Sequence, residues 1–204
     1  SVFTRQFADY LNVEEKTVHQ WCELVGAIHD LGKLNQKIVN EYWNWQKNIH
    51  GDDCYDYLAH TDYDAEDPYQ RQKNKKRRIT SHAPEGAFAA GPLLEMIIDS
   101  SIHDDTLYEQ LYRAMELTVK KHHGAFTVNA EPYELVDDAE DIVSQSLKGL
   151  GISEIELAVC ADVADLTDVN DPVEGHIKPY HNDELIMYWY LSRRLRIADR
   201  KSQH

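Results

Sequence analysis

His29 and Asp30 stand side by side in the stretch AIHDLGKLNQ, and Lys33 follows three residues after the aspartate. An imidazole, a carboxylate and an ammonium this close can hold a cation, move a proton or neutralise a phosphate. A single His-Asp pair also occurs in chains of this size with no chemistry attached, so its meaning depends on what else the chain supplies. His82 lies in TSHAPEGAFAA, His122 and His123 are adjacent in KKHHGAF, and Asp199 lies in RIADRKS. These four imidazoles and two carboxylates fall at or near the ends of predicted elements, where side chains can converge on one pocket. Imidazole mixed with carboxylate suits Mn, Fe, Co, Ni or Zn better than a hard, oxygen-only Mg site. A carboxylate can bridge two ions, whereas an imidazole normally ligates one. Two ions about 3.5–4 Å apart can clamp both oxygens of an in-line phosphoryl displacement. The set suits metal-assisted hydrolysis of a phosphate ester.

Each piece alone has an ordinary explanation. A His-Asp pair can be structural, a His-His pair at a helix C-terminus favours the helix dipole, and Asp199 between Arg196 and Arg200 can be a surface ion pair. What favours chemistry is the set together, in this order and with these neighbours. The elements that must position it read as helices. Val18, Trp21, Cys22, Val25 and Ile28 recur at helical spacing, and Gly32 marks an end. Residues 84–100 read as a helix that Pro92 kinks or interrupts. Residues 104–123 form an amphipathic helix on Leu107, Leu111, Met115 and Val119, closed by Gly124. Residues 132–150 read as a helix, 152–164 as a shorter apolar segment, and the last helix runs from about Asp183 on Leu185, Tyr188, Leu191, Leu195 and Ala198. Neither β-alternation nor a hairpin signal is evident, so the expected class is all-α. The polar stretch 50–79 reads as a long loop of the kind that is usually functional or partly disordered.

The 204 residues suffice for one domain with a proper core, and 42% hydrophobic with 28% charged residues is ordinary for a globular protein. No apolar run reaches the roughly 18 residues of a membrane span, and no signal peptide is visible, so no membrane role and a cytoplasmic setting are expected. Cys22, Cys54 and Cys160 form no CxxC pair, which suggests neither a disulfide framework nor a thiolate zinc site. No P-loop pattern is present. The net charge of −15 argues against nucleic-acid binding through the overall field. One local exception is QKNKKRR, five cations in seven residues including Lys75, Lys76, Arg77 and Arg78, either a solvated loop or a contact to phosphates. His50, His103, His176, His181 and His204 read as exposed, and His60 as a possible substrate neighbour. Trp43 and Trp45 read as core or loop anchors rather than a base-stacking platform.

The order His-Asp, His, His-His, Asp resembles the HD superfamily of metal-dependent phosphohydrolases, which are built on an all-α scaffold with the metal site at the centre of the helices. More closely it resembles the HD nuclease domain of the CRISPR-associated helicase-nuclease of type I systems, through HDLGK, SHAPEGAFAA, KKHHG and ADRKS, a span from about Ala27 to Ser202. The resemblance implies one ion held by His29, Asp30 and Asp199 and another by His82, His122 and His123, with Asp30 bridging. Lys33 matches a family lysine near the site that contacts phosphate or helps move a proton, which makes Asp30 and Lys33 the implied catalytic residues. Ser202 falls where the family often carries a polar residue near substrate. The family has one more ligating histidine upstream of the HD pair. His19 does not take that place: ten residues before His29, it stands about 280° away in rotation and about 15 Å away along a helix.

The implied function is a metal-dependent endonuclease of single-stranded DNA acting in CRISPR interference, with one or two divalent ions (Mn, Ni, Co, Fe or Zn, or Mg). An ATP-dependent helicase domain or subunit and a guide-RNA surveillance complex are the implied partners. Residues 1–204 would be a single HD-type nuclease domain, excised from a longer chain or truncated at both ends. Two alternatives stand beside this. An HD phosphohydrolase acting on nucleotides or cyclic dinucleotides would share the ligands and suit the acidic charge better. An inactive HD-like interaction domain of a CRISPR subunit would bind no divalent metal.

Overall fold

The computed structural model of the chain describes residues 2–51, 64–75, 82–123, 131–149, 162–163 and 182–202, with backbone only at 162–163, 182 and 200–202. The fold is all-α. Helix α1 (Val2–Leu11) buries Thr4, Phe7, Ala8 and Leu11, a stripe of helical period. Helix α2 (Glu15–Ile28) buries Val18, Trp21, Leu24, Val25 and Ile28, and a 3-10 turn at Leu31–Leu34 follows. Helix α3 (Gln36–His50) starts at Asn35, whose side-chain oxygen accepts from the Lys37 amide at 3.0 Å, a normal N-cap. It ends at Gly51, whose φ of 68° suits a residue without Cβ. Trp45 turns into the interior, while Trp43 lies beneath the Lys47 ammonium, 4.9 Å away.

Helix α4 (Pro68–Lys75) buries none of its residues. It falls within the stretch that reads as loop, because without an apolar stripe it carries no periodic signal. The segment read as a Pro92-interrupted helix is two helices, α5 (Ala83–Ala89) and α6 (Gly91–Asp99), with Pro92 in the first turn of the second. There its missing N–H costs nothing. Helix α7 (Asp105–Lys120) is capped by Asp104, which accepts from the Leu107 amide at 2.8 Å. It stops before the His-His pair, which lies in the turn beyond.

The helix expected over 132–150 forms only in part, as α8 (Ala139–Gly149). Before it, β1 (Tyr133–Glu134) pairs antiparallel with β2 (Asp162–Val163). Leu135 bridges to Asn35, and the Val136 amide donates to the Leu34 carbonyl at 2.9 Å. These long-range backbone bonds hold 133–136 extended against its local preference. Helix α9 (Asn182–Ser202) closes the described structure. Among the described residues no helix is long and apolar enough to cross a membrane.

The core is contributed by α1, α2, α5–α9 and the strand β1, around Trp21, Leu94, Leu111, Met115, Met187 and Leu191. α9 packs along α7 in the same direction: Leu107 and Met187 line one cavity, and farther along Thr118 Oγ1 lies 3.4 Å from Ser192 Oγ. α1 runs antiparallel to α9, with Tyr10 bonded to Asp183 and Thr4 to Tyr190 at 3.0 Å.

One contact positions the site more than any other. The 3-10 turn meets α5 backbone to backbone, at Gly32 and Gly86. A Cβ on Gly32 would collide with the His82 carbonyl and come within 2.8 Å of the Gly86 nitrogen, and one on Gly86 would come within 2.7 Å of the Gly32 nitrogen. Both glycines are needed because two chains meet where no side chain fits. Gly32→Ala and Gly86→Ala should each lower stability by roughly 1–3 kcal/mol or more, the cost of overpacking where the obstacle is backbone. Gly26→Ala, in open space on α2, should be neutral or stabilising by up to about 1 kcal/mol. Urea unfolding midpoints of the three variants check this ordering.

Candidate metal centre

Three chain segments deliver the polar groups. α2 ends at Ile28, so His29 and Asp30 leave the helix at its C-terminus, with Asp30 at the head of the 3-10 turn. His82 immediately precedes α5, and Gly86 donates its amide to the His82 carbonyl at 2.9 Å. His122 and His123 follow the end of α7. Asp30, His82, His122 and His123 each offer one ligand atom such that all four atoms lie within 4.8 Å of one another. Metal–ligand bonds of about 2.0–2.2 Å put the ligand atoms of a tetrahedral site about 3.4 Å apart, so closure on an ion needs shifts of about an ångström.

The hydrogen bonds around the imidazoles determine which nitrogens face inward. His29 Nδ1 lies 2.7 Å from the Gly26 carbonyl and His122 Nδ1 lies 2.6 Å from the Val119 carbonyl. A carbonyl only accepts, so each Nδ1 carries the hydrogen, and the neutral ring presents a lone pair at Nε2. Those lone pairs point at a carboxylate: His29 Nε2 is 3.4 Å from Asp30 Oδ2, and His122 Nε2 is 3.5 Å from Asp30 Oδ1. His122 Nε2 is buried without a hydrogen-bond partner. His82 Nε2 sits 3.0 Å from Asp30 Oδ1 and 3.0 Å from His123 Nε2, so one nitrogen faces two acceptors or an acceptor and a second ring. This is poor donor–acceptor pairing and good cation coordination. The donor set fits a divalent transition metal.

The electrostatics agree. Burial pushes the His82 imidazole below its ordinary value. Burial, helped by the neighbouring His122 and His82, lowers His123 to about 4. Both rings are neutral at neutral pH, as ligands must be. Burial would raise the Asp30 carboxyl, but the Lys33 ammonium bonded to it opposes this, and the carboxyl lies well below the usual carboxylate range. Lys33 Nζ donates to Asp30 Oδ2 at 2.7 Å, with only 10% of its side chain exposed. The ammonium is thus within the site, bound to the aspartate. His123 lies on the exposed side of the cluster.

His29 stands beside this group of four through Asp30. Asp199 is half-buried near the C-terminus of α9, outside the group. It is two turns beyond Ser192, on the helix face that meets Thr118 of α7, and α7 leads to His122. Lys75 ends the exposed helix α4, whereas Lys76, Arg77 and Arg78 lie outside the described residues, as do His60, His176, His181, His204 and the side chain of Ser202. His50 and His103 are exposed, as expected.

Two residues that sequence reasoning passed over help to build the site. Gly86 is one. The other is Glu85, buried on the first turn of α5, whose Oε1 accepts from the Glu131 amide at 2.9 Å. Burial raises its carboxyl above the ordinary value. It fixes the chain at 131, beyond the His-His pair, against the helix that follows His82. Its only sequence signal is its place three residues after His82 in HAPEG. Comparison with family models, with curated proteins and with solved structures finds no match to this chain.

The geometry ranks the ligands. Asp30→Ala removes the group that His29, His82 and His122 face and should reduce Mn affinity by on the order of 100-fold or more. His122→Ala should do nearly as much, and His29→Ala less, on the order of 10-fold, the usual effect of a supporting partner. Lys33→Met should leave metal content intact. Titration calorimetry with Mn and elemental analysis measure these directly, and equal metal loss in Lys33→Met and Asp30→Ala would contradict the assigned roles.

Proposed function

We propose that this protein is a metal-dependent phosphodiesterase of the HD type, an endonuclease that cuts single-stranded DNA. The observation that supports it is the convergence of the His29, His82 and His122 rings on one half-buried carboxylate, with an ammonium at the same carboxylate. One or two divalent ions held by Asp30, His82, His122 and His123, with His29 and Asp199 as candidates for the second, would supply Lewis acidity to polarise a phosphoryl group and acidify a water. The residues of the chain do the rest. The Val119 and Gly26 carbonyls orient His122 and His29. Lys33 neutralises Asp30 and can turn toward an arriving phosphate without leaving the site. The exposed side of His123 gives a substrate its approach. Action within CRISPR interference, with a helicase and a guide-RNA complex as partners, is part of the same proposal and rests on the motif resemblance.

A flexible single strand can bend one phosphate into a recessed site, whereas duplex DNA must be deformed to do so. With a net charge of −15, binding must be local, through the 73–78 cations, Lys120 and Lys121. The acidic charge also keeps a second reading open, hydrolysis of nucleotides or cyclic dinucleotides by the same centre. The deciding experiment offers circular single-stranded DNA and linear duplex DNA with Mn, Ni, Co or Mg. The expected outcome is metal-dependent opening of the circle, with the duplex largely spared and no need for ATP. Asp30→Ala should be inactive, and Lys75, Lys76, Arg77 and Arg78 replaced together by Ala should weaken DNA binding with metal content unchanged. Hydrolysis of nucleotides with no cleavage of either DNA would transfer the site to the second reading.

A further inference from the structure

Large apolar side chains are not exposed at random. Of seven exposed among the described residues, six (Val2, Phe3, Tyr10, Ile186, Trp189 and Ile197) lie on α1 and α9. These helices are neighbours: Phe7 stacks on Tyr190 with ring centroids 4.2 Å apart, and Thr4 bonds to Tyr190 and, at 3.3 Å, to Arg194. Each of the two packed helices thus carries exposed apolar side chains. Trp189 is 68% exposed and Phe3 76%. Clustered exposed apolar surface of this kind marks an interaction site, and aromatic residues with arginine are the composition of interface centres.

The order of residues along α9 says what covers it. Ile186, Trp189, Arg193 and Ile197 are spaced three, four and four apart, so they form one stripe on the solvent face of the helix. The stripe reads nearly the same from either end. Laid against itself antiparallel about a point between residues 191 and 192, it sets Ile186 on Ile197 of the second copy and Trp189 near Arg193 of the second copy. By symmetry each pairing occurs twice. A twofold contact requires such self-complementarity, because the same patch must serve both sides. It joins apolar ends to two cation–π pairs at the centre.

We infer that the outer face of α1 and α9 binds a second copy of this chain, forming an antiparallel α9–α9 dimer. Two helices present fewer than the roughly 20–30 residues per side of a standard interface, so the dimer is weak and concentration-dependent. Two chains of net charge −15 repel, and salt screens that repulsion. Salt therefore strengthens this association, whereas it weakens any contact of the same Trp and Arg residues with nucleic acid.

Sedimentation equilibrium of the whole chain at about 0.05 and 0.5 M salt tests this across the Debye-length range. The expected result is a monomer–dimer equilibrium that tightens with salt. Trp189→Glu, Ile186→Glu and Arg193→Glu should each weaken it by at least about tenfold. Tyr69→Glu, on exposed α4, should leave it unchanged. All four sites are exposed, and far-ultraviolet dichroism confirms that the variants fold. A chain monomeric at every concentration and salt overturns the inference, as does a dimer indifferent to Trp189→Glu and Ile186→Glu. It is also overturned if a single-stranded oligonucleotide quenches the Trp189 fluorescence of a monomer, relative to Trp189→Phe, with affinity falling as salt rises. That result would give the face to nucleic acid.

Discussion

A carboxylate drawn largely out of water sets the terms for this structure. Taking a charge into a protein interior costs several kcal/mol unless something of opposite sign or a set of donors replaces the lost solvent. Asp30 has the Lys33 ammonium at 2.7 Å and the rings of His29, His82 and His122 around it. Lysine satisfies one oxygen. The imidazoles, with two of their Nδ1 hydrogens committed to carbonyls, offer lone pairs instead of donors. That leaves a donor set of imidazole and carboxylate that could hold a metal ion.

That centre depends on an approach of main chains. Asp30 and His82 are 52 residues apart, and their side chains meet because Gly32 and Gly86 let the turn after α2 lie directly on α5. The third side is set by α7, whose end carries His122 and His123, and by the core that places α7 beside α9. Glu85 ties residue 131 to the same helix. Helix ends are suited to such work: they are rigidly held by their helices, yet their side chains are free of the helical repeat and can turn toward one point.

The chain separates chemistry from surface charge. Its overall field is acidic, while its cations are gathered in short runs: Lys73 and Lys75 on an exposed helix, Lys120 and Lys121 beside the paired histidines, and arginines along α9. A protein so charged would meet an anionic ligand through particular side chains, and not through long-range steering. On α9 the core-forming Leu191 and the exposed Trp189 lie on opposite sides of the helix, while on α1 the exposed Phe3 lies one turn from the buried Phe7. These two helices thus link the interior to whatever lies against them.

Much of the helical class was legible in the sequence, because an apolar stripe of period 3.6 has few other uses. Trp21, Leu111 and Leu191 each lie in such a stripe and each is buried. Pro92 could be read as an interruption for a reason internal to one residue, its missing amide hydrogen. The histidines and Asp30 could be chosen as candidates because imidazole and carboxylate are the residue types the chemistry needs. Where sequence reading went astray, the deciding partners were far along the chain. Residues 133–136 are extended because Asn35, Leu34 and residues 162–163 bond to them, against a local pattern that reads as helix. Helix α4 had no apolar stripe to announce it. Tertiary structure alone decided that four of the six candidate ligands form one tight group while His29 stands beside it and Asp199 outside. It alone decided that Lys33 is held by Asp30. Distances of 3 Å between groups 41 and 52 residues apart arise from packing, and packing here turns on two glycines whose significance lies in the atoms they lack.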